Sequence, residues 1–334
     1  MINMISKLKK EWFLVGMVVA IALAAISADV GKSGGLIHLD KITGIGVAIV
    51  FFLHGLGLSP SAIKAGISNW RMHIYIQLAT FVAYPLLWVI FGDIFLNYMP
   101  AALAFGFCYL FVLPSTISSS VAMTSVGKGN VPGAIFNASL SSILGIFITP
   151  LLIQAFMGFE GVELDLMASI ISISKLLLLP MILGQLARPL LLKFAQKHKS
   201  VVSKVDKYVI LLIVYNAFCD SVANGIWSTF TIEMLITSIV ICIVVLLCMV
   251  HLIQWGARRS KFERADEVAV VFCATKKTLA AGIPMATVIF GSNPDLGMIL
   301  LPIMLYHPIQ IFYCAILASR YAAQSEQVTP ASNN

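Results

Sequence analysis

Charge is scarce in this sequence. Only 11% of its 334 residues are Asp, Glu, Lys or Arg, and 59% are apolar, whereas a soluble domain carries about 25% charged residues. So little charge cannot coat a water-soluble globule, so the chain belongs in lipid. Long polar stretches are missing too, which leaves no room for a soluble domain or a long linker. The six cysteines (Cys108, Cys219, Cys242, Cys248, Cys273, Cys314) form no CxxC pair, and no histidine stands at metal-ligand spacing. A zinc site or disulfide framework is thereby excluded, and the thiols read as small buried hydrophobes. HExxH, GxSxG and Walker motifs are absent, as are paired intramembrane aspartates. No enzyme signature and no cofactor are expected, and uphill transport would draw on an ion gradient or on the substrate's own gradient. The net charge of +7 does not imply nucleic acid, because the basic residues lie in short loops where they set topology.

What is present is a series of apolar runs, each near the roughly 20 residues that cross a bilayer as a helix. They predict an all-α polytopic membrane protein with ten spans, at roughly 11–28, 42–58, 72–92, 100–126, 131–157, 167–192, 208–229, 233–256, 265–290 and 295–320. Turn-rich loops separate them, such as Gly31-Lys32-Ser33-Gly34-Gly35, Gly127-Lys128-Gly129-Asn130 and Gly291-Ser292-Asn293-Pro294. Lys7, Lys9 and Lys10 before the apolar run at 12–26 have the form of a signal peptide. A retained first span is preferred, because the internal symmetry described next needs it. With the N-terminus inside, 17 of the 22 basic residues fall in cytoplasmic loops and only Lys32 and Lys41 fall outside. This bias predicts both termini in the cytoplasm and insertion in the cell's inner (plasma) membrane.

Two stretches echo one another about 160 residues apart. Leu113-Pro114-Ser115-Thr116 leads to Gly129-Asn130-Val131-Pro132, and Ala274-Thr275-Lys276-Lys277-Thr278 leads to Gly291-Ser292-Asn293-Pro294. In each, a polar cluster interrupts an apolar span, and a short helix, a turn and another span follow. The repeat gives five spans per half, residues 1–160 and 161–323, with a disordered cytoplasmic tail at 324–334. Five is odd, so the second half is inverted, a recurring transporter design.

The interruptions hold the candidate chemistry. Pro114 removes a backbone donor in span 4, and Ser115, Thr116, Ser118, Ser119 and Ser120 can satisfy the freed groups or coordinate a ligand. Irregular backbone at membrane depth is tolerated only inside protein or beside a water-filled cavity. In span 9, Thr275, Lys276, Lys277 and Thr278 form the counterpart. Ten residues from Glu267, at about 1.5 Å each, put Lys277 roughly 15 Å deep in a core about 30 Å thick. An ionisable residue there is a functional candidate by default. Asn137 and Ser141 share a face of span 5 as support, with Gln77 of span 3. Lys175, Gln185 and Asp220, with Ser221 and Asn224, are candidates for a cavity wall. Lys175 and Asp220 read either as an ion pair or as interfacial charges. His54, His251 and His307 read as structural.

These motifs resemble the bile acid:sodium symporter family, in particular the branch that includes bacterial symporters and sodium/bile acid cotransporter 7. The residues that carry the resemblance are Leu113 to Thr116, Ser118 to Ser120, Gly129 to Pro132, Leu144 to Leu152, Cys273, Lys276-Lys277, Leu279-Ala280 and Gly282 to Met285. The resemblance implies a panel of spans 1, 2, 6 and 7 and a core of spans 3–5 and 8–10, with broken spans 4 and 9 crossing near the midplane. It also implies substrate between panel and core and sodium behind the crossing. The bile acid carriers have a glutamate with a glutamine and an asparagine in the broken part of span 9. Here that stretch holds no carboxylate, and a lysine ammonium cannot ligate sodium. Either Lys276 or Lys277 replaces one sodium, or a lysine attracts an anionic substrate, or it carries a proton.

The expected function is secondary active transport of a small organic anion by alternating access, with Na+ as the coupling ion that the resemblance suggests. The alternatives are a membrane sensor or regulatory scaffold that moves nothing, and a passive channel. The expected partners are the substrate and the lipid bilayer, with no nucleic acid. No metal ligand is assigned, and the oligomeric state is left open, a monomer being compatible.

Overall fold

The computed structural model describes residues 12–328 except 67, 158–164, 224, 226–230, 292 and 294. Lys7, Lys9, Lys10, Asn224, Ser292 and Pro294 therefore lie outside the described residues. Every regular element among those described is helical: α1 (Trp12–Gly31), α2 (Leu39–Gly57), α3 (Pro60–Gly66), α4 (Trp70–Tyr98), α5 (Ala101–Val112), α6 (Ser118–Val126), α7 (Val131–Met157), α8 (Leu166–Lys197), α9 (Lys199–Ala223), α10 (Ile232–Arg259), α11 (Arg264–Ala274), α12 (Leu279–Phe290) and α13 (Leu296–Val328). α13 runs past Gln324, so residues 324–328 of the stretch expected as a tail are helical.

Seven helical stretches are long and apolar enough to cross a membrane: α2, α4, α7, α8, α10, α11 with α12, and α13 up to Gln324. Three of the ten expected spans, those at α1, α5 and α9, are not among them. α1 is an apolar helix of 20 residues, and α5 is apolar but short because Pro114 follows its end. α9 opens on Lys199, Lys204, Asp206 and Lys207. The apolar surfaces differ in what they meet. In the most apolar window of α8 only 17% is buried inside the protein, with Leu186 and Leu190 71% and 84% exposed. Water would not tolerate such a surface, whereas lipid does. Across α11 and α12 the corresponding figure is 94%, and Lys276 and Lys277 between them are fully buried in protein.

α4 and α8 each contain one π-helical turn, at Ala79–Ala83 and Ser174–Leu178. Both turns end two residues before a proline, Pro85 and Pro180. A proline ring clashes with the carbonyl four residues back and supplies no N–H, and a wider turn relieves the clash.

The chain divides into two compact units. The first comprises Met1–Gly57, Met167–Ile232 and Ile283–Leu301, and the second Leu58–Leu166, Glu233–Gly282 and Pro302–Asn334. In the first unit α1 packs on α9, and α2 packs on α8 and α9. A Cβ on Gly55 would lie 1.9 Å from the Met181 carbonyl oxygen, and one on Gly184 would lie 1.9 Å from that of Phe52. Glycine at both places lets the α2 and α8 backbones touch, the small-residue packing that membrane helices use in place of a hydrophobic drive. In the second unit, α11 packs on α4, α6 and α7. Asp266 in its first turn accepts from the side-chain amides of Asn69 at 2.5 Å and Asn130 at 2.7 Å. Asn130 also caps α7, accepting from Gly133 N at 2.9 Å.

Candidate functional site

Two helix breaks meet inside the second unit. α5 stops at Val112, residues 113–117 are not helical, and α6 resumes at Ser118; α11 stops at Ala274, residues 275–278 are not helical, and α12 resumes at Leu279. Thr278 N donates to Pro114 O at 3.1 Å and ties one break to the other.

A helix that ends in the protein interior leaves carbonyls that need partners. Each of the four around the end of α5 has one. Lys277 Nζ donates to Phe111 O at 2.9 Å and to Leu113 O at 2.7 Å. Thr149 Oγ1 donates to Val112 O at 2.8 Å, and Thr278 N holds Pro114 O. The amide freed at Ser115 donates to Ser141 Oγ at 3.0 Å. Ser141, Gly145 and Thr149 are spaced by four and so form one stripe of α7. A Cβ on Gly145 would meet the Pro114 ring at 2.5 Å, so the stripe is moulded to the break.

The Lys277 ammonium is fully buried. Its third donation is to Thr80 O at 3.1 Å, and the π turn of α4 explains why that carbonyl is available. Tyr84 N reaches back five residues to Ala79 O, so the next donor in that pattern would be residue 85, which is proline. The Tyr84 ring centroid lies 4.1 Å from the ammonium, a cation–π contact. Three carbonyls and a ring face thus surround one positive charge at the C-terminal end of α5, the end that favours a cation. Lys276, also fully buried, donates to Ser119 O at 2.8 Å.

The span 9 break is held by residues with no motif of their own. Gln310 of α13 accepts from Lys277 N at 2.8 Å and donates to Lys277 O at 2.7 Å. Tyr84 and Tyr306 hydroxyls both reach Thr275 O, at 2.7 and 3.1 Å. A reading of the sequence misses Gln310, Tyr84, Tyr306, Thr80 and Thr149. Their one signal is that a lone polar group within an apolar run needs a partner.

The remaining candidates separate. Thr116 Oγ1 lies 2.6 Å from Ser119 Oγ and 3.0 Å from Ser120 Oγ, and Ser115 Oγ lies 3.5 Å from Ser120 Oγ, so this cluster bonds largely to itself. Ser118 is exposed. Asn137 joins His73 and Gln77, with its amide 2.9 Å from His73 Nδ1 and Gln77 Nε2 3.3 Å from Asn137 O. Lys175 is exposed and Gln185 half-buried. Neither lines the cavity that Asp220 lines. That cavity, of about 450 Å³, lies in the first unit, and its wall also includes Lys32, Ser33, Asp40, Asn216 and Ser221. Among the described residues, no group of three His, Cys, Asp or Glu side chains is placed to hold a metal ion.

Comparison with known proteins gives one consistent picture. The sequence model of the SBF-like CPA transporter family matches residues 11–323. The Escherichia coli (strain K12) protein named "Putative symporter YfeH" is 41% identical over 292 residues, 86% of each chain. "Uncharacterized protein PA2026" of Pseudomonas aeruginosa is 38% identical over 319 residues, 96% of this chain and 95% of its own. "Sodium/bile acid cotransporter 7" of Danio rerio is 31% identical over 318 residues, 94% of each.

Proposed function

Because the chain belongs to the SBF-like CPA transporter family, it is a multi-pass membrane transporter and not an enzyme, and we propose that it carries a small organic anion by secondary active transport with alternating access. The observation that carries this reading is the buried Lys277 ammonium, held by three carbonyls where two helices break. Discontinuous helices are where many secondary transporters place their substrate and ion sites.

The architecture we propose is ten spans in two inverted five-helix repeats, residues 1–160 and 161–323. Spans 1, 2, 6 and 7 form a panel, and spans 3–5 and 8–10 form a core. The composition of the two units supports it in part, since α1, α2, α8 and α9 fall in one and α3 to α7, α10, α11 and most of α13 in the other, while Ile283–Leu301, most of α12 and the start of α13, falls with the first. The charge bias supports a protein in the cell's inner membrane with both termini cytoplasmic, and the cavity beside Lys32 then opens to the outside. A monomer suffices for this cycle.

Coupling is the point at which this chain departs from the sodium named in its vertebrate relatives. Carbonyl oxygens are sodium ligands, and here the carbonyls of Thr80, Phe111 and Leu113 hold a lysine. In our reading Lys277 is a resident cation in place of one sodium. Lys276, the hydroxyls of Ser115, Thr116, Ser119 and Ser120, and Thr275 and Thr278 complete the crossing. Uptake of small organic anions into proteoliposomes, with and without a sodium gradient, tests this. Uptake that persists without sodium is expected. Strict sodium dependence would sink the replacement, and ligand-induced stabilisation with no uptake would favour the sensor reading.

A further inference from the structure

The cavity of the first unit has a one-sided hydrogen-bonding chemistry. Its hydroxyls have already placed their protons on the protein. Ser33 Oγ donates to Asp220 Oδ2 at 2.7 Å, and Thr43 Oγ1 to Asp40 O at 2.9 Å. Ser221 Oγ donates to Ala217 O at 2.9 Å, and Thr287 Oγ1 to Pro284 O at 2.8 Å. A hydroxyl has one proton and two lone pairs, so each of these presents only acceptors to the cavity. Asn216, 9% exposed, uses its amide nitrogen on Gly31 O at 2.8 Å. This bond fixes the orientation of the amide and leaves Oδ1 as its acceptor end on the wall.

The charges lean the same way. The wall carries two carboxylates, Asp40 and Asp220, against one ammonium, Lys32. Asp220 is fixed by Ser33 N at 2.6 Å as well as by the Ser33 hydroxyl. Asp40 has one oxygen 3.3 Å from Gly34 N and the other left over. Lys32 is 40% exposed and donates one N–H to Asp29 at 2.7 Å. Its remaining N–H groups and the Asn293 amide are the donors left to a ligand. A ligand with only acceptors and negative charge would find few partners here, and would meet like charge at Asp40 and Asp220.

We propose that this cavity takes an organic zwitterion, whose ammonium is received by Asp40, Asp220 and Asn216 Oδ1 and whose anionic end faces Lys32. The proposal rests on and deepens the transport reading above: the transported molecule carries an ammonium beside its anionic group. A cavity of about 450 Å³ is of the size that holds a small molecule.

The test uses the full chain in lipid nanodiscs and three matched pairs that differ only in the amino group: β-alanine and propionate, taurine and ethanesulfonate, 4-aminobutyrate and butyrate. Thermal stabilisation is titrated with each. In at least one pair the amine-bearing member is expected to act at a concentration about tenfold lower than its partner, the scale of a charge-assisted hydrogen bond. Asp40→Asn and Asp220→Asn should each bring that pair to within about twofold, while Asp93→Asn, outside the cavity, should leave the preference intact. The wild-type comparison needs no variant to fold. Absence of an amine preference in all three pairs overturns the proposal, as does a preference that survives both cavity substitutions. Uptake separates the two readings. Transport of the desamino anions alone overturns the zwitterion and keeps transport, whereas amine-selective stabilisation with no uptake of any compound keeps the cavity assignment and overturns transport.

Discussion

Gln310 holds the backbone of Lys277 from both sides, accepting from its N–H at 2.8 Å and donating to its C=O at 2.7 Å. A side-chain amide here does the work of a neighbouring β-strand, in a place where helix geometry has been given up. Gln310→Ala leaves two buried backbone groups unpaired, at about 1–3 kcal/mol each. A large drop in melting midpoint in detergent is expected, with loss of uptake. Gln310→Glu keeps the acceptor and loses the donor, so it should fall between the two. Equal stability for all three proteins would contradict the clasp.

Lys277→Ala removes the charge and leaves the carbonyls of Thr80, Phe111 and Leu113 facing one another. The variant is expected to melt lower than wild type in choline chloride. Sodium or methylammonium should recover part of the loss, because a cation can enter the vacated cage, while wild type should respond to neither. Lys277→Arg should not restore function, since a planar fork does not match three converging acceptors as a compact ammonium does. A Lys277→Ala protein indifferent to the cation present would rule out the resident-cation role.

Gly184→Ala tests the touching backbones of α2 and α8. The added Cβ would sit 1.9 Å from Phe52 O, a backbone atom that cannot rotate away. The helices must separate, at a cost of about 1–3 kcal/mol or more. Lower yield of folded protein and a reduced melting midpoint are expected, with Gly44→Ala, which meets nothing within 4 Å, as the tolerated control.

Asp266→Ala withdraws the acceptor shared by Asn69 and Asn130 and a negative charge from the first turn of α11. Loss of the two bonds and of the dipole interaction amounts to about 2–4 kcal/mol. Faster amide exchange across 127–130 should report it, because Asn130 N is itself bonded to Ala265 O at 2.8 Å. Unchanged exchange there would show that the loop is held by other contacts.

The helix breaks are readable from the chain because their causes are local: a proline after α5, and two lysines too deep to reach water in the run that becomes α11 and α12. The complete burial of Lys277 accords with an ionisable residue placed ten residues into an apolar run. Its partners are not readable from the chain. Thr80 O is available through a π turn and a proline five residues on, and Gln310 is a single amide in an otherwise apolar run. Asn137 and Ser141 look equivalent at i, i+4, yet Ser141 meets Ser115 while Asn137 meets His73 and Gln77. Which neighbour a stripe meets at each level is decided by packing across helices, and sequence spacing carries no information on that. The serine-rich run was open to two uses, ligand binding or backbone repair, and its hydroxyls largely bond one another.

The end of α5 also sets a timetable for synthesis. Leu113 and the lysine that holds its carbonyl are 164 residues apart. At about 5–20 residues per second of translation, roughly ten to thirty seconds separate them at the ribosome. During that interval the carbonyls of Phe111, Leu113 and Pro114 lack the partners of the finished protein, and hydrocarbon offers no substitute. The nascent segment must wait near water or beside the insertion machinery. In the ten-span architecture proposed above, its entry to full depth is a late event, which the arrival of α11 and α12 completes.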